Sequence, residues 1–497
     1  MRHIRTTKTS SRAIAVQVVK YSKRKLIVIR HIGSAHNREE LLGLKKTAAL
    51  WIEKESKQKP LFPLDDSSKI VQIDKCQYMG MRYGFIYEVL TQMVKHFGFS
   101  SLTDKRMFID LVIIRIIEPA SKLRSLELLE EFFNLRYLRK YFYRDLNEFI
   151  LLKNKAESKV LTLAKKEFNF DFSLVFYDVT TLYFETFQSD EFKKPGFSKD
   201  NKPQQPQIVI GLIVDDQGFP VAYEVFEGSK FEGHTFIPVI SSFKEKHNIN
   251  KLTVVADAAM ISLDNVKALF ENKLSYIVGA RVGNLANKSI REISSMLDRK
   301  NGKSIRIETK HGFLVCDFSE KRYRKDKANM AKQIAKAEIL LKNPSRLKRA
   351  KFVKGKNKAE MELNSELVEK TELLLGIKGY YTNLPEDIKN STIIDHYHNL
   401  WHIEQAFRVA KSDLEMRPIF HFKQQTIEAH ILICFMALAI CKYMEIKTCK
   451  STKQIVRILK SITDARIKNT LTGEEFLMRS EITDDVKKIL LKLGLSY

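Results

Sequence analysis

The stretch SLVFYDVTTLYFE, residues 173–185, decides the fold. Its β-branched and aromatic residues predict a strand, and one carboxylate, Asp178, stands among them. Two more strand-like runs follow, QIVIGLIVD (207–215) and PVAYEVFEG (220–228), parted by the turn Asp215-Asp216-Gln217-Gly218. The pattern then alternates: a helix over HTFIPVISSFKEKH (234–247), a strand over KLTVVADA (251–258), a helix over LDNVKALFENK (263–273) and a strand over SYIVGAR (275–281).

The order is βββαβαβ. Three antiparallel strands leading into αβαβ predict an α/β, ribonuclease-H-like (retroviral-integrase-like) core with a mixed sheet. Outward from it the chain divides into five parts. Residues 1–168 read as a hairpin (AIAVQVVKY, 13–21, and KLIVIRHI, 25–32), a helix near Arg38–Glu55, and a mainly helical region with a stop at Pro119. This part either binds DNA or serves as a packing domain. Residues 169–281 are the first part of the core, and 282–393 a β-rich, basic insertion. The insertion carries the β-like pieces SIRIETKHGFLVCDF (304–318), KAEMELNSE (358–366) and ELLLGIKGYYTNL (372–384). From Lys321 to Lys358 it holds fifteen Lys/Arg against two acids, so its helix either faces DNA or is a solvated charged face. Residues 394–445 return to the core, and 446–497 form a tail of two short helices.

The balance of 85 Lys/Arg against 59 Asp/Glu, a net charge of +26, points to a polyanionic partner, the alternative being a Lys-rich solvated surface. The five cysteines show neither CxxC nor zinc-site spacing, which predicts a reduced compartment and no structural zinc. No secretory signal is expected, because Gln17 interrupts the first apolar stretch, Ala13–Val19. The longest apolar run, Ile431–Cys441, falls short of the roughly 20 residues of a membrane span, so a buried helix and no membrane partner are expected.

Three carboxylates carry the chemistry. Asp178 and Asp257 leave neighbouring strands, and such acids converge on one sheet edge. Converging carboxylates repel, and a divalent cation of the Mg²⁺ or Mn²⁺ type relieves the repulsion. The alternatives are a turn cap for Asp178 and a helix N-cap for Asp257, although Ser262 suits that cap better. Glu404 lies in YHNLWHIEQAFRVAKSDLEMRP (397–418). Tyr397, Glu404 and Lys411 are each seven apart and share one face of a continuous helix, with Arg408 close by. The alternative for Glu404 is an i,i+4 surface ion pair with Arg408, worth about 0.3–0.5 kcal/mol. Two metal ions at such a triad would serve phosphodiester cleavage.

These residues resemble those of bacterial insertion-sequence transposases of the DDE superfamily, in the branch with a Tyr-x2-Arg-x3-Glu-x6-Lys signature. Here that signature reads Tyr397, Leu400, Glu404, Lys411, with Leu in place of the Arg. The likeness extends over YDVTTLYFE, PGFSKDNKPQQPQIVIGLIVD, FEGHTF, ADAAMIS and RPIFHF, within residues 171–440. It implies a metal triad of Asp178, Asp257 and Glu404 with Mg²⁺ or Mn²⁺. It also implies contacts of Tyr397 and Lys411 with transposon-end DNA, cut-and-paste transposition into target DNA, a homodimer pairing two ends, and a cytoplasmic, nucleoid-associated place in a bacterial cell. Arg408 would replace the missing Arg. Arg417 contacts DNA or pairs at a helix end. His234 positions water or substrate, or is a structural histidine. A nuclease on the same core, and a catalytically silent basic DNA-binding protein, are the competing readings.

Overall fold

The computed structural model describes residues 2–10, 13–22, 25–55, 73–198, 201–230, 233–258, 263–342, 350–355 and 361–496. Ser262, the expected cap, lies outside them. The chain divides into two compact units, one of 1–90, 128–136 and 456–497, the other of 91–127 and 137–455.

The larger unit is built on a mixed eight-stranded sheet. Its strands are β1 (Leu174–Tyr183), β2 (Gln207–Val214), β3 (Pro220–Glu227), β4 (Thr253–Ala256), β5 (Ser275–Ala280), β6 (Ser304–Thr309), β7 (Gly312–Phe318) and β8 (Ile377–Thr382). They lie in the order β6-β7-β8-β5-β4-β1-β2-β3. β1, β2 and β3 are antiparallel, while β1, β4 and β5 run parallel through crossover helices α1 (Gly233–Lys246) and α2 (Leu263–Glu271). Every residue of β2 is buried, as befits a strand covered on both faces.

The insertion, read from sequence as short β pieces around one basic helix, is joined to the core sheet. Its strands β6, β7 and β8 continue the core sheet, with β8 antiparallel to β5. It also contains three helices, α3 (Asn287–Met296), α4 (Glu320–Lys342) and α5 (Ser365–Leu373). The apolar stripe of α4 (Met330, Ile334, Ala337) packs with Phe352 and Leu375, and its cations are mostly on the outer side.

After the insertion come α6 (Asn390–His398), α7 (Trp401–Arg408) and α8 (Gln424–Thr448). α8 contains the run Ile431–Cys441 and is the one helix among the described residues long and apolar enough to cross a membrane. Its apolar window is 94% buried within the protein. It packs on helix Arg106–Ile117 and on β3, where the rings of Phe435 and Tyr223 meet at 4.8 Å. Cys434 and Cys441 are both core residues.

The smaller unit corrects the boundaries read at both ends of the chain. The expected hairpin is a three-stranded antiparallel sheet, Arg2–Lys8, Ile14–Ser22 and Lys25–Ala35, with helix Arg38–Glu55 packed on it. The tail is not wholly helical. Between the helices Thr452–Lys460 and Asp484–Lys492 runs a hairpin, Asp464–Asn469 with Glu475–Arg479, and it pairs with Cys76–Arg82. Residues 91–127 and 137–168, expected to form part of an N-terminal region, pack instead within the larger unit.

Candidate active site

β1 and β4 pair in parallel from Leu174↔Thr253 to Tyr177↔Ala256. Asp178 and Asp257 each follow the last rung, so they occupy equivalent positions on strands about 4.8 Å apart. Asp178 is not at a strand end, as its sequence suggested. β1 continues to Tyr183 because VTTLY pairs with β2 alone, as far as Tyr183↔Gln207. The carboxylate therefore stands where β1 parts from β4. It is half-buried, and its Oδ1 accepts the Val179 amide at 2.8 Å. Asp257 is exposed. Its Oδ1 accepts the Ala258 amide at 2.7 Å and the Tyr397 hydroxyl at 2.8 Å.

Tyr397 is buried near the end of α6. Its ring lies 4.8 Å from that of Tyr380, and Lys378 Nζ stands 4.2 Å from its centroid. Tyr380 donates its hydroxyl to Asp317 Oδ1 at 3.0 Å. Burial, and next the charge of Asp257, push the Tyr397 hydroxyl well above its ordinary range, so it remains a proton donor. Burial and the Arg322 guanidinium pull the Lys378 ammonium down, while Asp257, Asp317 and Glu404 oppose this. Lys378 and Tyr380 thus set the insertion against Tyr397, which bonds to Asp257. Nothing in the local pattern IKGYYT marked them, because the contact arises only when β8 docks on β5.

The continuous helix expected across Tyr397, Glu404 and Lys411 is broken. α6 ends at His398, a turn occupies Asn399–Leu400, and α7 begins at Trp401. Beyond α7 the backbone widens into a π-turn over Val409–Asp413. Tyr397 consequently lies inside against Asp257. Glu404 and Arg408 are exposed on α7, and Lys411 sits on the π-turn. Leu400 is buried at the break.

Asp178, Thr180, Glu404, Arg408, Lys411 and Arg417 line one open cleft of about 290 Å³. Arg417 reaches it because residues 417–420 run beside the end of β1, where Ile419 donates its amide to the Tyr183 carbonyl at 3.2 Å. Asp257 follows the strand next to that of Asp178 and is not among the residues lining the cleft. Glu404 and Arg408 make no ion pair with each other among the described residues, which removes the surface-pair alternative. His234, exposed on the first turn of α1, does not line the cleft.

The donor set is all oxygen, which suits Mg²⁺ or Mn²⁺. Among the described residues, no three His, Cys, Asp or Glu side chains stand close enough to enclose an ion. An open set of this kind still fits Mg²⁺, which takes one or two carboxylates and fills its other positions with waters and substrate phosphate. Side chains that could offer oxygens to such an ion are Asp178 and Glu404, within the cleft, and Asp257, one strand over from Asp178.

Residues 169–440 match the family model described as a transposase DDE domain. Among solved structures, the cryo-EM piggyBac transposase synaptic complex with hairpin DNA aligns over 83% of this chain and 74% of that one, with 11% identity and a TM-score of 0.38. No curated protein matches the chain in sequence.

Proposed function

Since this chain belongs to the DDE transposases, we propose that it excises and inserts an insertion sequence by metal-dependent hydrolysis and strand transfer of DNA. The observation that carries the reading is the shared cleft, lined by two acids, Asp178 and Glu404, and by three cations, Arg408, Lys411 and Arg417. Carboxylates together with guanidinium and ammonium groups in one cleft suit a phosphodiester whose reacting oxygens need positive charge and whose free oxygens need donors. The strand order, antiparallel β3-β2-β1 followed by parallel β4 and β5, supports a ribonuclease-H-like core.

In this reading Asp178, Asp257 and Glu404 hold two Mg²⁺ or Mn²⁺ ions. Such ions, when bound, supply charge neutralisation at the attacking and leaving oxygens and acidify a water. The protein's own groups do the rest. Arg408, Lys411 and Arg417 bind phosphate oxygens, Arg408 standing in for the cation that Leu400 lacks. Tyr397 acts as a positioning residue that fixes the Asp257 carboxylate through its hydroxyl. The open cleft admits water for hydrolysis, and the 3′-hydroxyl so freed is the nucleophile for joining to target DNA. The working form is a homodimer pairing two ends in the bacterial cytoplasm.

The test is Mg²⁺-dependent cutting of a duplex bearing the inverted repeats that border the gene, followed by joining to a second duplex. Wild type is expected to cut and join, and Asp178→Ala to bind the duplex without cutting it. Undiminished cutting by Asp178→Ala would sink the triad. Cutting without joining would leave a nuclease on the same core, and binding without cutting a silent DNA-binding protein.

A further inference from the structure

Beside the cleft lies a second, smaller pocket of about 40 Å³, lined by Arg115, Lys122, Glu415, Arg417, His421 and His430 among others. Arg417 lines both, so the two are contiguous. Arg115 is 3% exposed and Lys122 9% exposed. Buried cations are ordinarily paired with carboxylates, because desolvating a lone charge costs several kcal/mol. Among the described residues neither has an ion-pair partner, and Glu415 is an exposed residue.

The hydrogen bonds of these groups show a cluster organised around its cations. Arg115 donates to the carbonyls of Ala120 at 2.6 Å and Leu414 at 3.4 Å, which leaves its buried Nε without a partner. His430 Nε2 lies 3.2 Å from the Met416 carbonyl, so that nitrogen carries the hydrogen. Nδ1 is then a lone pair, and it accepts from Lys122 Nζ at 3.3 Å. Both imidazoles are held neutral by burial, His421 being pushed down to about 3. Burial also pulls Lys122 down to about 7, an ammonium short of a counter-charge. A pocket of this size has room for two or three waters or for the outward oxygens of a phosphate, since one water needs about 10–15 Å³ on this measure.

We propose that Arg115, Lys122 and Arg417 form a second phosphate site, which takes the backbone phosphate flanking the scissile one on the same DNA strand. The inference rests on the transposase reading and adds to it a residue set from the helices before β1. Holding two successive phosphates fixes the strand's direction across the carboxylates, as a single phosphate contact would not.

The experiment uses the full-length chain and Lys122→Met, which keeps the volume and removes the charge. Duplex affinity is measured against NaCl concentration. The slope of log K against log salt is expected to fall by about one in Lys122→Met, since each phosphate contact contributes roughly 0.9, and to return in Lys122→Arg. An unchanged slope in Lys122→Met overturns the site. A second readout needs no variant: inorganic phosphate, at ionic strength matched with chloride, is expected to raise the melting temperature of the wild type, and no rise overturns the site. The two readings fail separately. A wild type that binds duplex without Mg²⁺-dependent cutting contradicts the enzymatic reading, and the slope comparison then still decides the phosphate site.

Discussion

Tyr397 donates its hydroxyl hydrogen to Asp257 Oδ1 at 2.8 Å, across 140 residues of sequence. With the Ala258 amide on the same oxygen, the carboxylate has one orientation. Tyr397→Phe removes the donor and keeps the ring in its tilted contact with Tyr380. Groups of this kind, one step behind a metal ligand, typically contribute 10–100-fold to affinity or activity. Cleavage by Tyr397→Phe is therefore expected to slow by about that factor, with the Mg²⁺ concentration for half-maximal rate moving upward. Stability should change by only about 1 kcal/mol. An unmoved Mg²⁺ titration would reduce Tyr397 to packing.

Gly279 on β5 makes room for this hydrogen bond. A Cβ there would stand 2.9 Å from the Ala258 nitrogen and 2.8 Å from the Ala258 Cβ, and would press on the Tyr397 hydroxyl. Two of these atoms belong to the segment that carries Asp257, so the strain falls on the carboxylate. Gly279→Ala is expected to cost about 1–3 kcal/mol by overpacking and to lower cleavage further than Tyr397→Phe. Thermal melts and single-turnover cutting of the same preparation check both. Wild-type activity with a lowered melting temperature would separate the glycine from the site.

The neighbouring positions of Asp178 and Asp257 were legible because a crossover connection brings together the two strands on which they stand or which they follow. Local patterns had less to say where the decisive partner is remote. Tyr397, Glu404 and Lys411 share a seven-residue spacing on paper, but the helix breaks at Asn399–Leu400, and the shared face required an uninterrupted helix. β6 to β8 were recognised as strands, yet their addition to the edge of β5 depends on pairing between distant segments. The hairpin in the tail was missed for the same reason, since Thr470 bonds to Lys75, 395 residues away. Lys122 stands in no motif of the sequence. Only folding sets it against His430, 308 residues later.

Asp215, in the turn between β2 and β3, gives the fold a pH dependence. Its Oδ1 accepts the amides of Gln217 and Phe219 at 2.9 and 2.7 Å, while its Oδ2 is buried without a partner. Burial raises its pKa from 3.8 to about 7. Between these values the folded chain keeps a proton that the unfolded chain has lost. The stabilisation is thus full below pH 3.8 and is lost as the pH rises to about 7. The loss is at most about 4 kcal/mol, at 1.36 kcal/mol per pKa unit. Asp215→Asn imitates the protonated form, so denaturant unfolding should show it more stable than wild type at pH 8 and similar at acid pH. Parallel pH profiles for the two proteins would contradict the assignment.

In the proposed function Asp178 is a ligand of the metal ions that cut DNA. Asp178→Cys puts a soft thiolate where a hard carboxylate oxygen was, and Mg²⁺ accepts thiolate poorly, whereas Mn²⁺ is more tolerant. The decisive measurement is the cutting rate of Asp178→Cys in Mg²⁺ and in Mn²⁺, each divided by the wild-type rate in the same metal. The expected result is a variant nearly inactive in Mg²⁺ and partly restored in Mn²⁺. Equal relative rates in the two metals, or full activity in Mg²⁺, would contradict it.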